Sequence, residues 1–208
     1  MAVKKKAAPA KGGAKKTTAA RSVASKAAPA KKAPAKKVAA KPVSAKAAPP
    51  ASSGAKVAVG KKVPAFSSLV TGGGSWKSSA AAGKKLVIYF YPRDNTPGCT
   101  LEGQAFRDLA PAFEKANTAI LGVSPDTIAS HEKFKAKFEF PFQLLSDEEQ
   151  QLCQLFDVWR EKSLYGRKFM GVERSTFLID ASGVLRQEWR KVKVPGHAEA
   201  VLEAAKAL

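Results

Sequence analysis

From residue 63 onward, apolar and polar positions alternate with two periods, and those periods predict the elements. Lys85-Leu86-Val87-Ile88-Tyr89-Phe90-Tyr91 is a continuous apolar run closed by Pro92, as a strand covered on both faces reads. Leu101, Ala105, Leu109 and Phe113 then recur every four residues, with Phe106 beside them, which predicts a helix buried along that stripe. Ala119-Ile120-Leu121-Gly122-Val123 is the next strand, residues 127–138 the next helix and residues 141–145 a further strand, followed by a short helix from Asp147 to about Phe156. Ser175 to Asp180 and Val184 to Trp189 flank Ala181-Ser182-Gly183 as a β-hairpin, and His197 to Ala207 forms a closing helix. Ahead of these, Phe66 to Trp76 around Gly72-Gly73-Gly74 predicts an N-terminal hairpin. The triplet lacks the Lys and Ser/Thr of a phosphate-binding loop. A βαβ start, then a hairpin and a final helix, gives an α/β, thioredoxin-like order with a central mixed sheet between helices.

Composition separates the first third of the chain from this pattern. Residues 1–62 hold 17 Lys+Arg and no acid, while residues 63–208 hold 19 Lys+Arg against 17 acids. Nearly all of the +19 formal charge of the 208-residue chain therefore sits on residues 1–62. That stretch has no Leu, Ile, Phe, Tyr or Trp with which to offset ordering entropy, and prolines from Pro9 to Pro50 interrupt every candidate helix. Lys6-Ala7-Ala8-Pro9-Ala10-Lys11 recurs as Lys26-Ala27-Ala28-Pro29-Ala30-Lys31, but no apolar position repeats with it to stack. Two regions are expected: a disordered basic tail, 1–62, and one compact domain, 63–208. A polycation of this kind associates with nucleic acid through counterion release and without base readout. A solubilising extension, an anchor to acidic membrane surfaces and a transit peptide are the competing readings. Arg21 is the only Arg among the 17 basic residues, against the transit peptide, and no apolar segment follows Lys4-Lys5-Lys6 as a secretory leader requires. No apolar run approaches a membrane span, so no membrane association is expected of the domain. Two cysteines make no disulfide framework, which points to a reduced, cytoplasmic setting, with the tail adding association with the nucleoid.

One cysteine lies where thiol chemistry is favoured. Cys99 falls in the first turn of the helix that follows the first central strand. Free N–H groups and the helix dipole there stabilise a thiolate over a thiol. Position alone leaves open a small buried cysteine with no reactivity. Its surroundings add more: Pro92, Thr96 and Cys99 stand in a Pro-x-x-x-Thr-x-x-Cys arrangement within Tyr91-Pro92-Arg93-Asp94-Asn95-Thr96-Pro97-Gly98-Cys99-Thr100. Downstream come Tyr165-Gly166, the run from Met170 to Asp180 that contains Arg174, and Gly196-His197-Ala198-Glu199. Taken in this order, these motifs resemble the peroxiredoxins, in their bacterioferritin-comigratory or peroxiredoxin Q branch, over essentially all of residues 63–208. The composition of the tail resembles that of histone-like Lys/Ala/Pro tails.

The resemblance implies a thiol peroxidase acting on hydrogen peroxide and organic hydroperoxides. It implies that Cys99 attacks the peroxide and becomes a sulfenic acid. Thr96 would hydrogen-bond thiolate and peroxide, Pro92 would shield the sulfur from bulk water, and Arg174 would stabilise charge at the sulfur and the peroxide oxygens. Arg174 as a surface cation paired with Glu173 is the alternative. Many relatives in this branch carry a second, resolving cysteine five residues after the first, where this chain has Gln104, and others carry it on the next helix, where it has none. Cys153 reads first as a helix core residue beside Leu152, Leu155 and Phe156, with a resolving role as its alternative. An external thiol, such as thioredoxin, glutaredoxin or a small thiol, is thus the expected reductant, and no cofactor or metal is expected. Relatives imply a monomer or weak dimer. His131 and His197 are expected on helix surfaces, Trp76, Trp159 and Trp189 against the core, and Glu102 either at the site or merely complementing the helix dipole. The competing function is a nucleoid-binding protein whose peroxiredoxin domain is a sensor or a vestige.

Overall fold

The computed structural model describes residues 57–164 and 166–208. The expected basic tail therefore lies, through residue 56, outside the described residues, as does Tyr165. A seven-stranded mixed sheet forms the centre. Its strands are β1 (Ser67–Val70), β2 (Ser75–Lys77), β3 (Lys85–Phe90), β4 (Thr118–Ser124), β5 (Gln143–Ser146), β8 (Ser175–Ile179) and β9 (Leu185–Trp189), in the order β2-β1-β5-β4-β3-β8-β9. The parallel trio β3, β4 and β5 is flanked by antiparallel partners on both sides. Helices α1 (Pro97–Lys115), α2 (Ile128–Phe138), α3 (Gln151–Leu155) and α4 (His197–Ala207) connect and cover it, which is the thioredoxin-like arrangement. Among the described residues, no helix is long and apolar enough to cross a membrane.

Alternation along β3 divides the interior into two cores. Leu86, Ile88 and Phe90 point to one face, where Leu152, Cys153, Phe156, Phe66 and Val70 pack on them. Val87 and Tyr89 point to the other, beneath Cys99, Phe106 and Phe113 of α1, Phe134 of α2, and Val201 and Leu202 of α4. A strand run apolar at every position is what a sheet buried on both sides demands.

Several elements differ from the sequence pattern in instructive ways. The stripe expected to bury α1 is rotated: Leu101 is 59 % exposed, while Cys99, Glu102, Gly103, Phe106 and Phe113 are buried. Gly103 explains the rotation, because a Cβ there would meet Phe140 Cζ at 2.6 Å, so the phenyl ring packs directly on the helix backbone. His131 and His197, expected on helix surfaces, are both buried. A second, two-stranded sheet, β6 (Trp159–Leu164) with β7 (Arg167–Val172), was not legible in the pattern, for its strands mix charges with isolated apolar residues. The N-terminal hairpin forms as expected. Gly72, Gly73 and Gly74 all adopt left-handed φ between 83° and 89°, a conformation that residues with a Cβ resist. Residues 60–63, across the expected tail boundary, already bond to the domain. Gly60 N–H donates to the Leu185 carbonyl, Leu185 N–H to Lys61 and Val63 N–H to Gly183.

Candidate active site

The site begins with the way α1 starts. Thr96 is its N-cap residue in extended conformation, Pro97 opens the first turn, and Cys99 is the third helical residue. Thr100 N–H already bonds to the Thr96 carbonyl, and Pro97 has no N–H. The N–H groups of Gly98 and Cys99 thus have no acceptor within the helix and lie in the turn that bears the sulfur. Cys99 is 2 % exposed and reduced.

Arg174 completes the arrangement from the start of β8, the strand paired antiparallel with β3. Its backbone is fixed on both sides: Glu173 N–H donates to Val158, and Val192 N–H donates to the Arg174 carbonyl. From there Nη2 donates to Cys99 Sγ at 3.1 Å, and Nη1 pairs with Glu102 Oε2. The partner of Arg174 is therefore Glu102, one turn along the active helix, and not the adjacent Glu173. The guanidinium lies close over the first turn of α1: a Cβ at Gly98 would stand 3.4 Å from Nη2, in van der Waals contact. Burial works against the Arg174 charge, but Glu102 and Cys99 beside it more than compensate and hold its proton more firmly. Burial pushes the Glu102 carboxyl up to about 7, with Arg174 pulling the other way. Its second oxygen, Oε1, is buried without a hydrogen-bond partner, as is the Tyr89 hydroxyl beneath.

The other expected site residues lie on the same loop. Thr96 is half-buried, and its hydroxyl donates to the Arg93 carbonyl at 3.0 Å, so its one proton is directed there and not at the sulfur. Its oxygen remains able to accept. Pro92 is half-buried between Tyr91 and Arg93. Two further groups lie near the guanidinium: Lys162, which the sequence pattern did not single out, and His197, which it placed on a helix surface. Burial and Arg174 lower the Lys162 ammonium, with Glu173 and Cys99 opposing. His197 is held at about 4 by burial and by Arg174. It shares a 2.8 Å hydrogen bond with Thr176 and stacks edge-on against Phe106 and Trp189. The signal for His197 was available: it opens α4 one helical turn before Val201, on the face that buries.

Cys153 does not join this site. It is fully buried in the other core, across the central sheet from Cys99. Burial first, and then the Asp147 carboxylate beside it, push its thiol far up. An internal disulfide would have to cross the sheet.

A thiol at a helix N-terminus on a thioredoxin-like sheet, faced by a guanidinium, defines a class of cysteine-based redox proteins. Comparison with known families specifies it: residues 59–188 match the AhpC/TSA family. The chain belongs to that family, and its relatives there are peroxiredoxins, enzymes of the thiol peroxidase kind. Peroxiredoxin Bcp of Xanthomonas campestris pv. campestris is 54 % identical over 138 residues, spanning 66 % of this chain and 86 % of that protein. Peroxiredoxin Bcp of Bacillus subtilis is 47 % identical over 150 residues, spanning 72 % and 96 %. Among solved structures, peroxiredoxin Q of Xanthomonas campestris is similar with a TM-score of 0.66 at 53 % identity, covering 68 % of this chain and 90 % of that one. Another structure of the Xanthomonas campestris bacterioferritin comigratory protein is described for its alkyl peroxide reduction activity.

Proposed function

We propose that Cys99 is the peroxidatic thiol of an enzyme that reduces hydrogen peroxide and organic hydroperoxides, and that an external thiol restores it. In the first step the Cys99 thiolate attacks one peroxide oxygen. A sulfur–oxygen bond forms as the oxygen–oxygen bond breaks, and the leaving oxygen takes up a proton as water or alcohol. Sulfur is oxidised to sulfenic acid and the peroxide is reduced. Arg174 and the free N–H groups of Gly98 and Cys99 stabilise the charge moving through this transition state, Thr96 accepts a hydrogen bond from the peroxide, and Pro92 limits water at the sulfur. In the second step a thiol attacks the sulfenic sulfur and releases water, and a second thiol resolves the mixed disulfide. The alkyl peroxide reduction described for the Xanthomonas relative supports organic hydroperoxides as substrates. The separation of Cys99 and Cys153 by the sheet supports an external reductant, of the thioredoxin, glutaredoxin or small-thiol kind.

The observation that carries this reading is the 3.1 Å contact from Arg174 Nη2 to a sulfur at a helix N-terminus. Its test is mass spectrometry of the reduced full-length protein, given one equivalent of hydrogen peroxide with dimedone present. A dimedone adduct on Cys99 is expected. Two unmodified thiols would overturn the peroxidase assignment, and a Cys99–Cys153 disulfide would overturn the external reductant.

The basic tail adds a second function on this reading: it holds the enzyme on nucleic acid, without sequence preference, and raises its local concentration there. The 17 basic residues and absent acids of residues 1–62 support it. In gel-shift titrations, full-length protein should bind duplex DNA with an affinity that falls steeply with salt, and protein lacking residues 1–56 should not. Equal binding by the two, or binding by neither, would rule the tail out as the contact.

A further inference from the structure

The loop that carries Pro92, Thr96 and Cys99 has one buried polar anchor, and it is not at the sulfur. Arg93, Asn95 and Pro97 are exposed, and Pro92, Thr96 and Gly98 are half-buried, but Asp94 is buried. Its carboxylate accepts from the Tyr91 hydroxyl at 2.9 Å, from Ser130 Oγ at 2.7 Å and from His131 Nδ1 at 2.9 Å. Its N–H donates to Asp126 Oδ2 at 2.8 Å, and Ser124 Oγ holds that same oxygen at 2.7 Å. His131 is fully buried, and its other nitrogen, Nε2, donates to the Leu145 carbonyl at 3.1 Å. Both ring nitrogens face protein oxygens, Nδ1 the Asp94 carboxylate and Nε2 the Leu145 carbonyl, so the ring is held at both ends inside the protein. The Asp94 side chain thereby ties the β3–α1 loop to the first turn of α2, its N–H ties the loop through Asp126 to the end of β4, and His131 carries the connection on to β5.

With the loop held in this way Cys99 is almost wholly covered. A peroxide is small enough to enter such a site, whereas the thiol of a protein reductant must meet the sulfur in line and needs the loop displaced. The two steps of the cycle thus place opposite demands on one loop. Displacing it breaks the hydrogen bonds of Asp94 to Tyr91, Ser130 and His131 and leaves buried polar groups without partners, which makes opening costly.

We propose that Asp94, held by His131, Ser130 and Tyr91, is a positioning clasp that sets how Cys99 divides between reaction with peroxide and reaction with an external thiol. The proposal rests on the reading of Cys99 given above. Neither Asp94 nor His131 touches the sulfur. They act through the chain: Asp94 adjoins Arg93, whose carbonyl holds the Thr96 hydroxyl, and Thr96 caps the helix that bears Cys99.

The test measures the two half-reactions separately in the full-length protein: oxidation of Cys99 by hydrogen peroxide, and consumption of the preformed sulfenate by reduced thioredoxin. Asp94→Asn should slow the first by about tenfold and speed the second by about threefold, since a displaced loop loses attack geometry and gains access. Ser130→Ala should move both rates in the same directions by about twofold, as loss of one hydrogen bond among several does. Asp147→Asn removes a buried carboxylate from the opposite core and should leave the ratio of the two rates as in the unmodified protein. An unchanged ratio in Asp94→Asn, or an equal shift in Asp147→Asn, overturns the clasp. If Asp94→Asn does not fold, Ser130→Ala decides, and an unchanged ratio there overturns it equally. Failure of the underlying assignment would look different: the unmodified protein would then show no oxidation of Cys99 at all.

Discussion

The two cysteines of this domain occupy the same position on two helices and meet opposite surroundings. Each is the third residue of its helix and each is buried, one above the central sheet and one below it. At α1 the second and third N–H groups are left free and a guanidinium stands 3.1 Å from the sulfur. At α3 the equivalent N–H groups, of Leu152 and Cys153, are both taken by the carboxylate of Asp147, at 3.0 and 2.7 Å. The same helix dipole that can stabilise a thiolate is spent on an aspartate at α3, and the aspartate then opposes ionisation of its neighbour. What the fold places at a helix N-terminus, a guanidinium at α1 and a carboxylate at α3, sets the surroundings that each sulfur meets.

The sharpest break of this comparison is removal of each thiol. Cys99→Ser should abolish peroxide consumption, whereas Cys153→Ser should keep it within about twofold, as expected when only one sulfur is a nucleophile. A stopped assay of residual peroxide decides it, and equal loss in both variants would end the contrast. Next, Arg174→Met should slow oxidation of Cys99 by about 10²- to 10³-fold with the fold intact, the range for one lost donor to a developing oxyanion. A rate within threefold of the unmodified protein would show that the free N–H groups suffice, so about threefold is the limit set by roughly one neutral hydrogen bond.

A smaller effect concerns the ionisable groups gathered on the Cys99 side. The fold raises Glu102 to about 7 from an ordinary 4.5, so its contribution to stability is fully present below pH 4.5 and is lost as pH rises through 7. It lowers His197 to about 4 from 6.5, so that contribution is present above pH 6.5 and is lost as pH falls through 4. Between pH 4.5 and 6.5 the two oppose each other. Glu102→Gln should leave His197 alone and make stability rise across that window by about 1–3 kcal/mol more than in the unmodified protein. Urea midpoints at several pH values would show it, and an identical slope in both proteins would refute it. The smallest expected effect is on the outer face of the active helix: Leu101→Ala should change stability by less than about 0.5 kcal/mol, as surface substitutions do. A larger loss in thermal denaturation would mean that this face is covered.

Much of this architecture could be read from periodicity because its determinants are local. The five-residue apolar run of β3, the turn at Ala181-Ser182-Gly183 and the extent of α4 all follow from short-range pattern. What escaped depended on contacts between distant segments. The rotation of α1 turns on Phe140 packing against Gly103, a pair 37 residues apart that no helical period encodes. The β6–β7 hairpin has no continuous apolar face of its own, since only its base, at Trp159 and Val172, joins a core. Cys99, Thr96, Pro92 and Arg174 drew notice through their motifs, and the structure brings the Arg174 guanidinium to 3.1 Å from the Cys99 sulfur while turning the Thr96 hydroxyl to the Arg93 carbonyl. The ion pair of Arg174 with Glu102 and the buried pair of Asp94 with His131 were not visible, because a charge carries no mark in sequence of whether it will be desolvated. His131, Phe134 and Phe138 do lie along one helical stripe, and that spacing was the available hint that the ring faces inward.

The bonds of Gly60, Lys61 and Val63 to the β8–β9 turn have a mechanical consequence. They lie at the end of the sheet where β3 begins, and Cys99 lies beyond the end where β3 finishes, about 20 Å away along a six-residue strand. Traction on the N-terminal chain is therefore taken up by these antiparallel bonds, a strand's length from the loop that leads to Cys99. A cargo, a label or a solid support attached through that end would load the anchorage and leave the sulfur unstrained.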